Sequence, residues 1–200
     1  MLRLLERYGI RDRRVLDAMA RVPREEFVSS ADREIAYGDH ALSIGEGQTI
    51  SQPYVVARMT ELLAAEPDDR VLEVGTGSGY QAAVLAELVR EVVSIERHGS
   101  LADAARDRLE RLGYASVRVI HADASLGYPP EAPYDRILIT AATPAIDPAL
   151  AQQLTADGRI VAPVGDLDLQ DLVVRDARGN VQRHGAVKFV PLRGEAGFRG

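Results

Sequence analysis

The sequence predicts an α/β fold: a doubly wound, mostly parallel sheet with N-terminal helices and an antiparallel C-terminal edge. From Asp69 onward, apolar strand-like runs alternate with helical patterns, and a glycine-rich turn follows the first of these runs. Two further strand-like runs, joined by a short polar turn, end the chain and predict the antiparallel edge. At 200 residues, the chain is long enough for one domain with a substantial core.

The individual elements can be placed in order along the chain. LLERYG is a short helix candidate, and apolar residues recur at helical spacing over 15–22, where Pro23 ends the pattern. The following elements are strand 71–74, helix 80–89, strand 91–96, helix 100–112, strand 116–121, strand 134–140, helix 148–154, strand 158–164 and the edge strands 171–176 and 181–192. The single domain therefore divides into a helical N-terminal and lid region (1–66), a ligand-binding core (67–165) and C-terminal strands (166–200).

Composition excludes several classes of protein. The hydrophobic fraction of 46% and the charged fraction of 27% are typical of soluble globular proteins. The net charge of −6 argues against a general nucleic-acid binder, whose surface is usually basic. With no cysteine, the chain has no disulfide, no thiol nucleophile and no cysteine-based metal site. The four histidines (His40, His98, His121 and His184) show no metal-ligand spacing, so we predict no metal site.

The sequence also gives expectations for location and partners. No apolar run approaches the roughly 20 residues that a membrane span requires. The N-terminus, MLRLLERYGIRDRR, is charged throughout and lacks the apolar stretch of a signal peptide. We expect a cytoplasmic protein that binds neither membranes nor nucleic acid. Its oligomeric state is left open by the sequence, with a monomer as the simplest expectation.

The stretch VLEVGTGSGY carries the first chemical signal. It places Gly75, Gly77 and Gly79 between an apolar strand and a helix, where glycines allow a tight turn and close approach of the backbone to a ligand. The G-x-G-x-G spacing differs from the G-x-G-x-x-G of dinucleotide binders, which presents a helix N-terminus to a pyrophosphate. Glu96 ends the next strand, 21 residues after Gly75, where a carboxylate can accept hydrogen bonds from ribose hydroxyls.

Together these features predict a nucleoside-type ligand. Cationic, phosphate-free S-adenosylmethionine suits the acidic lining better than NAD does. Glu73, inside the first strand, could receive an amino group, and Asp123 in HADAS could line the adenine side. Each feature alone has a structural alternative, since glycine turns and strand-end carboxylates are common without any ligand. In these elements the predicted cofactor-binding residues are Glu73, Gly75, Thr76, Gly77, Ser78, Gly79, Glu96, Arg97, Asp123 and Ala124.

Taken together, the motifs resemble a known family. QTISQP, LEVGTGSGYQ, a strand that ends in Glu96, YDRILITAA, GRIVAPVG and VKFVPL are similar to the bacterial protein-L-isoaspartate O-methyltransferase family. The resemblance runs from VPREEFV (22–28) almost to the C-terminus. The glycine loop alone would indicate only a Rossmann-like class I methyltransferase, whereas QTISQP and the VPL tail are more specific. The resemblance implies methyl transfer from S-adenosylmethionine to the α-carboxylate of L-isoaspartyl residues in damaged proteins, a repair reaction.

The resemblance also implies a role for QTISQP (48–53). The segment would lie over the cofactor and hold the substrate carboxylate, with Ser51 in the catalytic role. By this resemblance, the predicted cofactor-binding residues also include Thr49, Ile50, Ser51 and Gln52. A carboxyl group with a pKa of about 3.5 is ionised at neutral pH, so no general base is needed. The site must instead hold a carboxylate oxygen in line with the methyl carbon and exclude water. A structural alternative is that Ser51 caps the helix that begins near Pro53, and the two roles are compatible.

The tail VKFVPL (187–192) would, by the same resemblance, present backbone to the peptide substrate. The alternative is an ordinary edge strand that Pro191 stops. The predicted substrate-binding residues are Gln48, Ser51, Val190, Pro191 and Leu192.

The sequence departs from the family pattern at Ala122 and Ala124, where family members often have glycines, and the added methyl groups could weaken or displace the cofactor. Two other functions stay open. One is methylation of a biosynthetic peptide or a small metabolite, and the other is a non-enzymatic module that binds peptides or nucleosides.

Overall fold

A computed structural model describes residues 1–199 and contains nine strands and six α-helices. The strands are β1 (Leu42–Gly45), β2 (Gln48–Ile50), β3 (Arg70–Val74), β4 (Glu91–Glu96), β5 (Val117–His121), β6 (Tyr134–Ile139), β7 (Leu154–Gly165), β8 (Gln170–Asp176) and β9 (Val181–Val187). The helices are α1 (Leu2–Arg7), α2 (Arg13–Arg21), α3 (Pro53–Leu63), α4 (Tyr80–Ala86), α5 (Gly99–Arg111) and α6 (Pro148–Ala151). Short 3₁₀ helices cover Arg24–Phe27, Ser30–Ile35 and Pro129–Glu131.

Seven strands form one sheet in the order β5-β4-β3-β6-β7-β8-β9. The pairs from β5 to β7 are parallel, whereas β8 runs antiparallel to β7 and β9 antiparallel to β8. The chain builds outward from β3 in one direction and then returns to β3 to build in the other. This confirms the predicted doubly wound sheet with an antiparallel C-terminal edge, and it places a topological switch point between β3 and β6.

The central strands are apolar because both faces of the sheet are covered. One face packs against α1 to α5, in a cluster that includes Leu5, Met19 and Val71. The other face packs against α6, the loop after β5 and the tail, in a cluster that includes Leu72 and Leu192. The sheet is therefore buried on both sides, and the polar residues Glu73 and Ser94 inside its central strands are buried too.

Several element bounds differ from the sequence-based expectation. Helix α4 ends at Ala86 instead of 89, and α6 has only four residues. Strand β7 begins at Leu154, earlier than expected, because Leu154 pairs with Tyr134. The predicted strand 181–192 ends at Val187. Beyond it the backbone leaves β8, and Pro191 bridges to Ala142 instead.

The hairpin β1–β2 was not predicted from the sequence. Its strands have only four and three residues, too few to show an alternating pattern. They pair antiparallel around a turn that contains Gly45 and Gly47, both with positive φ. Among residues 1–199, every helix is too short or too polar to span a bilayer.

Candidate active site

A cleft of about 920 Å³, including its open mouth, lies at the carboxyl ends of β3, β4 and β6. Open parallel sheets bind ligands in the crevice at such a switch point. Five segments line the cleft: the end of the hairpin, the glycine loop after β3, the end of β4, the turn after β6 and the C-terminal tail. The cleft thus brings together segments from most of the chain.

The glycine loop is held tightly against the neighbouring strands. Gly75, Gly77 and Gly79 all have positive φ, at 101°, 53° and 87°. The N–H of Gly75 donates to the Ile95 carbonyl at 2.9 Å, and the Thr140 hydroxyl donates to the Gly75 carbonyl at 2.6 Å. A Cβ at position 75 would lie 2.5 Å from that hydroxyl oxygen. Only glycine combines this backbone conformation with this packing.

Glu96 organises the loop from the adjacent strand. Its side chain is buried, and its Oε2 accepts a hydrogen bond from the Gly77 N–H at 2.9 Å. Its Oε1 accepts one from the His98 N–H, also at 2.9 Å. An ionised carboxylate has about four acceptor positions, so two remain for a ligand in the cleft. Glu96 therefore fixes the loop and still offers acceptors to ribose-type hydroxyls.

Glu73 lies one layer behind the cleft. It is fully buried, and its Oε2 accepts a hydrogen bond from the Ser94 hydroxyl, whereas its Oε1 has no partner within residues 1–199. The Ser94 hydroxyl in turn forms a hydrogen bond of 2.6 Å with the hydroxyl of Thr76, and Thr76 lines the cleft. Burial raises the pKa of Glu73 to about 8; the Ser94 hydrogen bond opposes this, and the negative charge of Glu96 adds to it.

Glu73→Gln is expected to stabilise the protein more at pH 9 than at pH 5. The folded-state pKa of Glu73 exceeds the ordinary value of 4.5. The contribution of this group to the free energy of unfolding therefore falls as the pH rises from 4.5 to about 8. Glutamine does not ionise, so the variant's gain in free energy of unfolding over the parent should grow by about 2–4 kcal/mol across that window. Denaturant unfolding at both pH values measures this gain. A gain independent of pH would contradict the assignment.

The hairpin β1–β2 reaches across the cleft to α5. The side chain of Ile44 lies 3.2 Å from the position that a Cβ on Gly77 would occupy, so the hairpin packs directly on the glycine loop. At the tip of the hairpin, Glu46 accepts a hydrogen bond from the Ser100 hydroxyl at 2.7 Å. These contacts cover the glycine loop and restrict solvent access from that side.

Ser51 follows β2 and lines the cleft. The N-cap of α3 is Gln52, and no side chain caps this helix end. Within residues 1–199, the Ser51 hydroxyl makes no hydrogen bond, so the structure does not support the capping alternative. The backbone carbonyl of Ser51 accepts a hydrogen bond at 2.6 Å from the buried Arg24. Ser51 therefore presents a free hydroxyl to the cleft on an anchored backbone.

The structure brings most of the predicted site residues together. Those that line the cleft are Gln48, Thr49, Ile50, Ser51, Gly75, Thr76, Gly77, Ser78, Glu96, Arg97, Ala124, Val190, Pro191 and Leu192. Four others do not line it: Gln52, Glu73, Gly79 and Asp123. Gln52 and Gly79 are the N-caps of α3 and α4, so they border the cleft and shape the segments that line it.

Asp123 contacts the C-terminal tail. Its Oδ1 accepts a hydrogen bond from the Ser125 N–H at 2.8 Å, and its Oδ2 accepts one from the Glu195 N–H at 3.1 Å. The methyl groups of Ala122 and Ala124, which depart from the family pattern, lie at the cleft wall. The side of the cleft where the sequence predicts the adenine is thus bordered by two alanines and, behind them, by a carboxylate that holds the tail.

Sequence reasoning missed several lining residues. They are Val56, Met59, Val74, Tyr80, Gln81, Ile95, His98, Thr140, Ala141, Phe189 and Arg193. Thr140 was detectable, because it ends a predicted strand at the same sheet edge as the glycine loop. Phe189 and Arg193 flank the VPL motif and could have been included with it. Within residues 1–199, no group of three or more acidic or histidine side chains could hold a metal ion.

Comparison with known proteins agrees with this geometry. The family model of protein-L-isoaspartate(D-aspartate) O-methyltransferase matches residues 1–197. The protein-L-isoaspartate O-methyltransferase of Methanoculleus marisnigri is 54% identical over 195 residues, which cover 96% of this chain and 89% of the relative. That of Methanopyrus kandleri is 51% identical, with 98% and 92% covered.

Solved structures show the same fold. A protein-L-isoaspartate O-methyltransferase superposes with a TM-score of 0.87 at 30% identity, covering 98% of this chain and 66% of that one. A Plasmodium falciparum structure, which its name assigns to the same enzyme in complex with S-adenosyl-L-homocysteine, superposes with a TM-score of 0.82 at 25% identity, with 96% of each chain covered. With a family match over nearly its whole length and relatives above 50% identity, this chain belongs to the protein-L-isoaspartate(D-aspartate) O-methyltransferase family.

Proposed function

We propose that this chain transfers the methyl group of S-adenosylmethionine to the α-carboxylate of L-isoaspartyl residues in damaged proteins. The observation that carries the proposal is the convergence of the glycine loop, the QTIS segment and the VPL tail on one cleft. Family membership supports the reaction itself. The methyl ester formed would then collapse through a succinimide and partly restore normal aspartate.

The cleft fits S-adenosylmethionine, which supplies a methyl group on a sulfonium cation. The glycine loop leaves space where side chains would otherwise fill the cleft. The buried Glu96 carboxylate retains acceptor positions for ribose hydroxyls and supplies the negative charge that a cationic ligand favours. We assign Glu96 and the 75–79 loop to cofactor binding. Asp123 also retains acceptor positions but does not line the cleft, so it would join them only where the tail that donates to it moves.

On the acceptor side, the residues position an anion that is already charged. The free hydroxyl of Ser51 can donate to one carboxylate oxygen and hold the other toward the methyl donor. The hairpin β1–β2 covers the glycine loop and helps to exclude water, which favours a step in which two opposite charges cancel. No residue of the cleft needs to remove a proton, because the carboxylate is ionised at neutral pH.

The tail offers one clear backbone acceptor to a peptide. Ala142 donates to the Val190 carbonyl at 2.8 Å, and its own carbonyl accepts from the Leu192 N–H at 2.7 Å. Pro191, between them, has no N–H, and its carbonyl accepts no hydrogen bond within residues 1–199. We assign this carbonyl to a main-chain N–H of the substrate. Recognition through the main chain suits an enzyme that must accept many surrounding sequences.

Labelled methyl transfer to matched peptides tests the function. An isoaspartyl hexapeptide should be methylated at least about 100-fold faster than its aspartyl twin, because only the isoaspartyl linkage leaves the α-carboxylate free, whereas the aspartyl residue places its β-carboxylate differently in the cleft. The two peptides have the same mass and charge, so the comparison isolates the abnormal linkage. Equal labelling of both, or labelling of neither, would overturn the proposal. Labelling of an unrelated small carboxylate instead would favour the alternative acceptor class.

Further assignments follow from this reaction. The partners are isoaspartyl-containing proteins and peptides, and we propose that the enzyme acts as a monomer. The net charge of −6 supports the absence of a nucleic-acid partner. A cytoplasmic location stays a prediction from composition.

A further inference from the structure

Arg24 is an unusual residue because its guanidinium is completely buried. It lies in the 3₁₀ helix Arg24–Phe27, and its Nε donates to the Ala36 carbonyl at 2.7 Å. One terminal nitrogen, Nη2, donates to the Ser51 carbonyl at 2.6 Å, and the other, Nη1, has no partner within residues 1–199. The guanidinium carbon lies 4.7 Å from the centre of the Tyr80 ring.

This environment is unfavourable for a cation. Within residues 1–199, no carboxylate forms a salt bridge with Arg24, so its direct partners are two backbone carbonyls and an aromatic face, and the carboxylate of Asp39 acts on its charge only from a longer distance. Burial lowers the pKa of Arg24, and this is opposed by nearby Tyr80 and Asp39. An unpaired buried charge costs several kcal/mol, and an apolar side chain of similar volume is often the more stable choice. Stability therefore does not explain the arginine.

The groups that Arg24 holds point to a different reason. The Ser51 carbonyl belongs to the residue that presents its hydroxyl to the cleft, and Tyr80 also lines the cleft at the start of α4. The Ala36 carbonyl belongs to the loop after the 3₁₀ helix Ser30–Ile35. One rigid fork thus ties the N-terminal region to the backbone of the catalytic segment.

A fixed carbonyl also fixes the rest of its peptide plane. The Ser51–Gln52 peptide is trans, so the N–H of Gln52 points away from the carbonyl that Arg24 holds. Within residues 1–199, this N–H donates no hydrogen bond. Together with the Ser51 hydroxyl, it gives two donors at the start of α3, where the helix dipole also favours an anion.

We propose that Arg24 is a positioning residue for methyl transfer, which clamps the Ser51–Gln52 peptide so that its donors meet the substrate carboxylate. The proposal rests on the proposed function and adds a residue outside the cleft to it. The clamp acts on geometry, and the buried charge attracts the carboxylate. These two effects separate in kinetics, because attraction for the bound anion lowers KM whereas orientation raises kcat.

Three variants test the proposal. Arg24→Lys keeps the charge but lacks the fork, so kcat should fall about 10-fold with KM for the isoaspartyl peptide changed less than about 3-fold. Arg24→Met loses both, so kcat should fall similarly and KM should rise about 10-fold. Affinity for S-adenosylhomocysteine should stay within about 2-fold in both, because the glycine loop is unchanged.

Arg136→Met is the matched control. Arg136 also donates to backbone carbonyls, those of Ala64, Asp135 and Asp157, and it forms an ion pair with Asp69 at 3.4 Å. Neither Arg136 nor any of these partners lines the cleft. The variant should lose stability without changing kcat or KM, with all assays run well below the lowest Tm. The proposal would be overturned if Arg24→Lys kept the kcat and KM of the parent. It would also be overturned if the kinetic losses of the three variants simply followed their losses of stability. If Arg24→Met does not fold, the lysine variant decides alone.

A readout independent of activity separates this proposal from the proposed function. Hydrogen exchange over residues 48–56 should speed up in Arg24→Lys and stay at the parent level in Arg136→Met. An inactive parent with this change in exchange would overturn the proposed function but keep the clamp. An active parent with unchanged exchange and unchanged kcat in Arg24→Lys would overturn the clamp alone.

Discussion

Replacing Glu96 with alanine is expected to weaken the binding of S-adenosylhomocysteine by about 100-fold or more. The carboxylate holds the Gly77 N–H and the His98 N–H, so the change removes two charge-assisted hydrogen bonds from the loop that shapes the cleft. It also removes the acceptors that we assign to the ribose hydroxyls. A hydrogen bond to a charged group is worth about 1.5–3 kcal/mol. The loss of two such bonds to the ribose hydroxyls therefore lowers the affinity for S-adenosylhomocysteine by about 100-fold or more.

Calorimetric titration of the purified variant with S-adenosylhomocysteine measures this loss. Glu91→Ala is the matched control, because Glu91 begins the same strand and pairs with Arg70 and Arg118 away from the cleft. It should bind S-adenosylhomocysteine as the parent does. Glu96→Gln should be nearly as weak as the alanine variant, since its amide nitrogen would face a backbone donor. Parent-like affinity in both Glu96 variants would remove the carboxylate from the cofactor site.

The cofactor half of the site was largely predictable, because local sequence determines it. The apolar run 71–74, the glycines and Glu96 belong to one βαβ unit, and parallel strands necessarily bring their ends to one edge. The G-x-G-x-G spacing indicated a tight turn, and the structure has such a turn, with positive φ at Gly75, Gly77 and Gly79. Within such a unit, the sequence pattern largely determines the geometry of the site.

The other half depends on contacts between distant segments. Asp123 follows its strand as expected, but a tail residue 72 positions later donates to its carboxylate. From the sequence VPREEFV alone, Arg24 would be expected to be an ordinary surface cation. Only the fold shows that it is buried and bonded to the Ser51 carbonyl. The alternation of apolar and polar residues does not encode such contacts. The hairpin β1–β2 is local but was missed because its strands are too short to show an alternating pattern.

Replacing Ser51 with alanine is expected to lower kcat for the isoaspartyl peptide by about 100-fold while S-adenosylhomocysteine binds within about 3-fold of the parent. The hydroxyl makes no hydrogen bond within residues 1–199 and does not cap α3, so its loss should leave the fold intact. What the variant loses is the orientation of one carboxylate oxygen, and a misplacement of about 1 Å can cost about 100-fold in rate. Single-turnover methylation with bound cofactor measures this step directly.

Ser43→Ala makes the same chemical change on the neighbouring strand of the hairpin, at an exposed position paired with Thr49. It should keep parent kinetics, which separates the loss of a hydroxyl from a disturbance of the hairpin. If Ser51→Ala turned over at the parent rate, the carboxylate would be oriented without the hydroxyl. The backbone donor at Gln52, held through Arg24, would then have to carry the orientation alone, and Arg24→Lys would become the more damaging of the two changes.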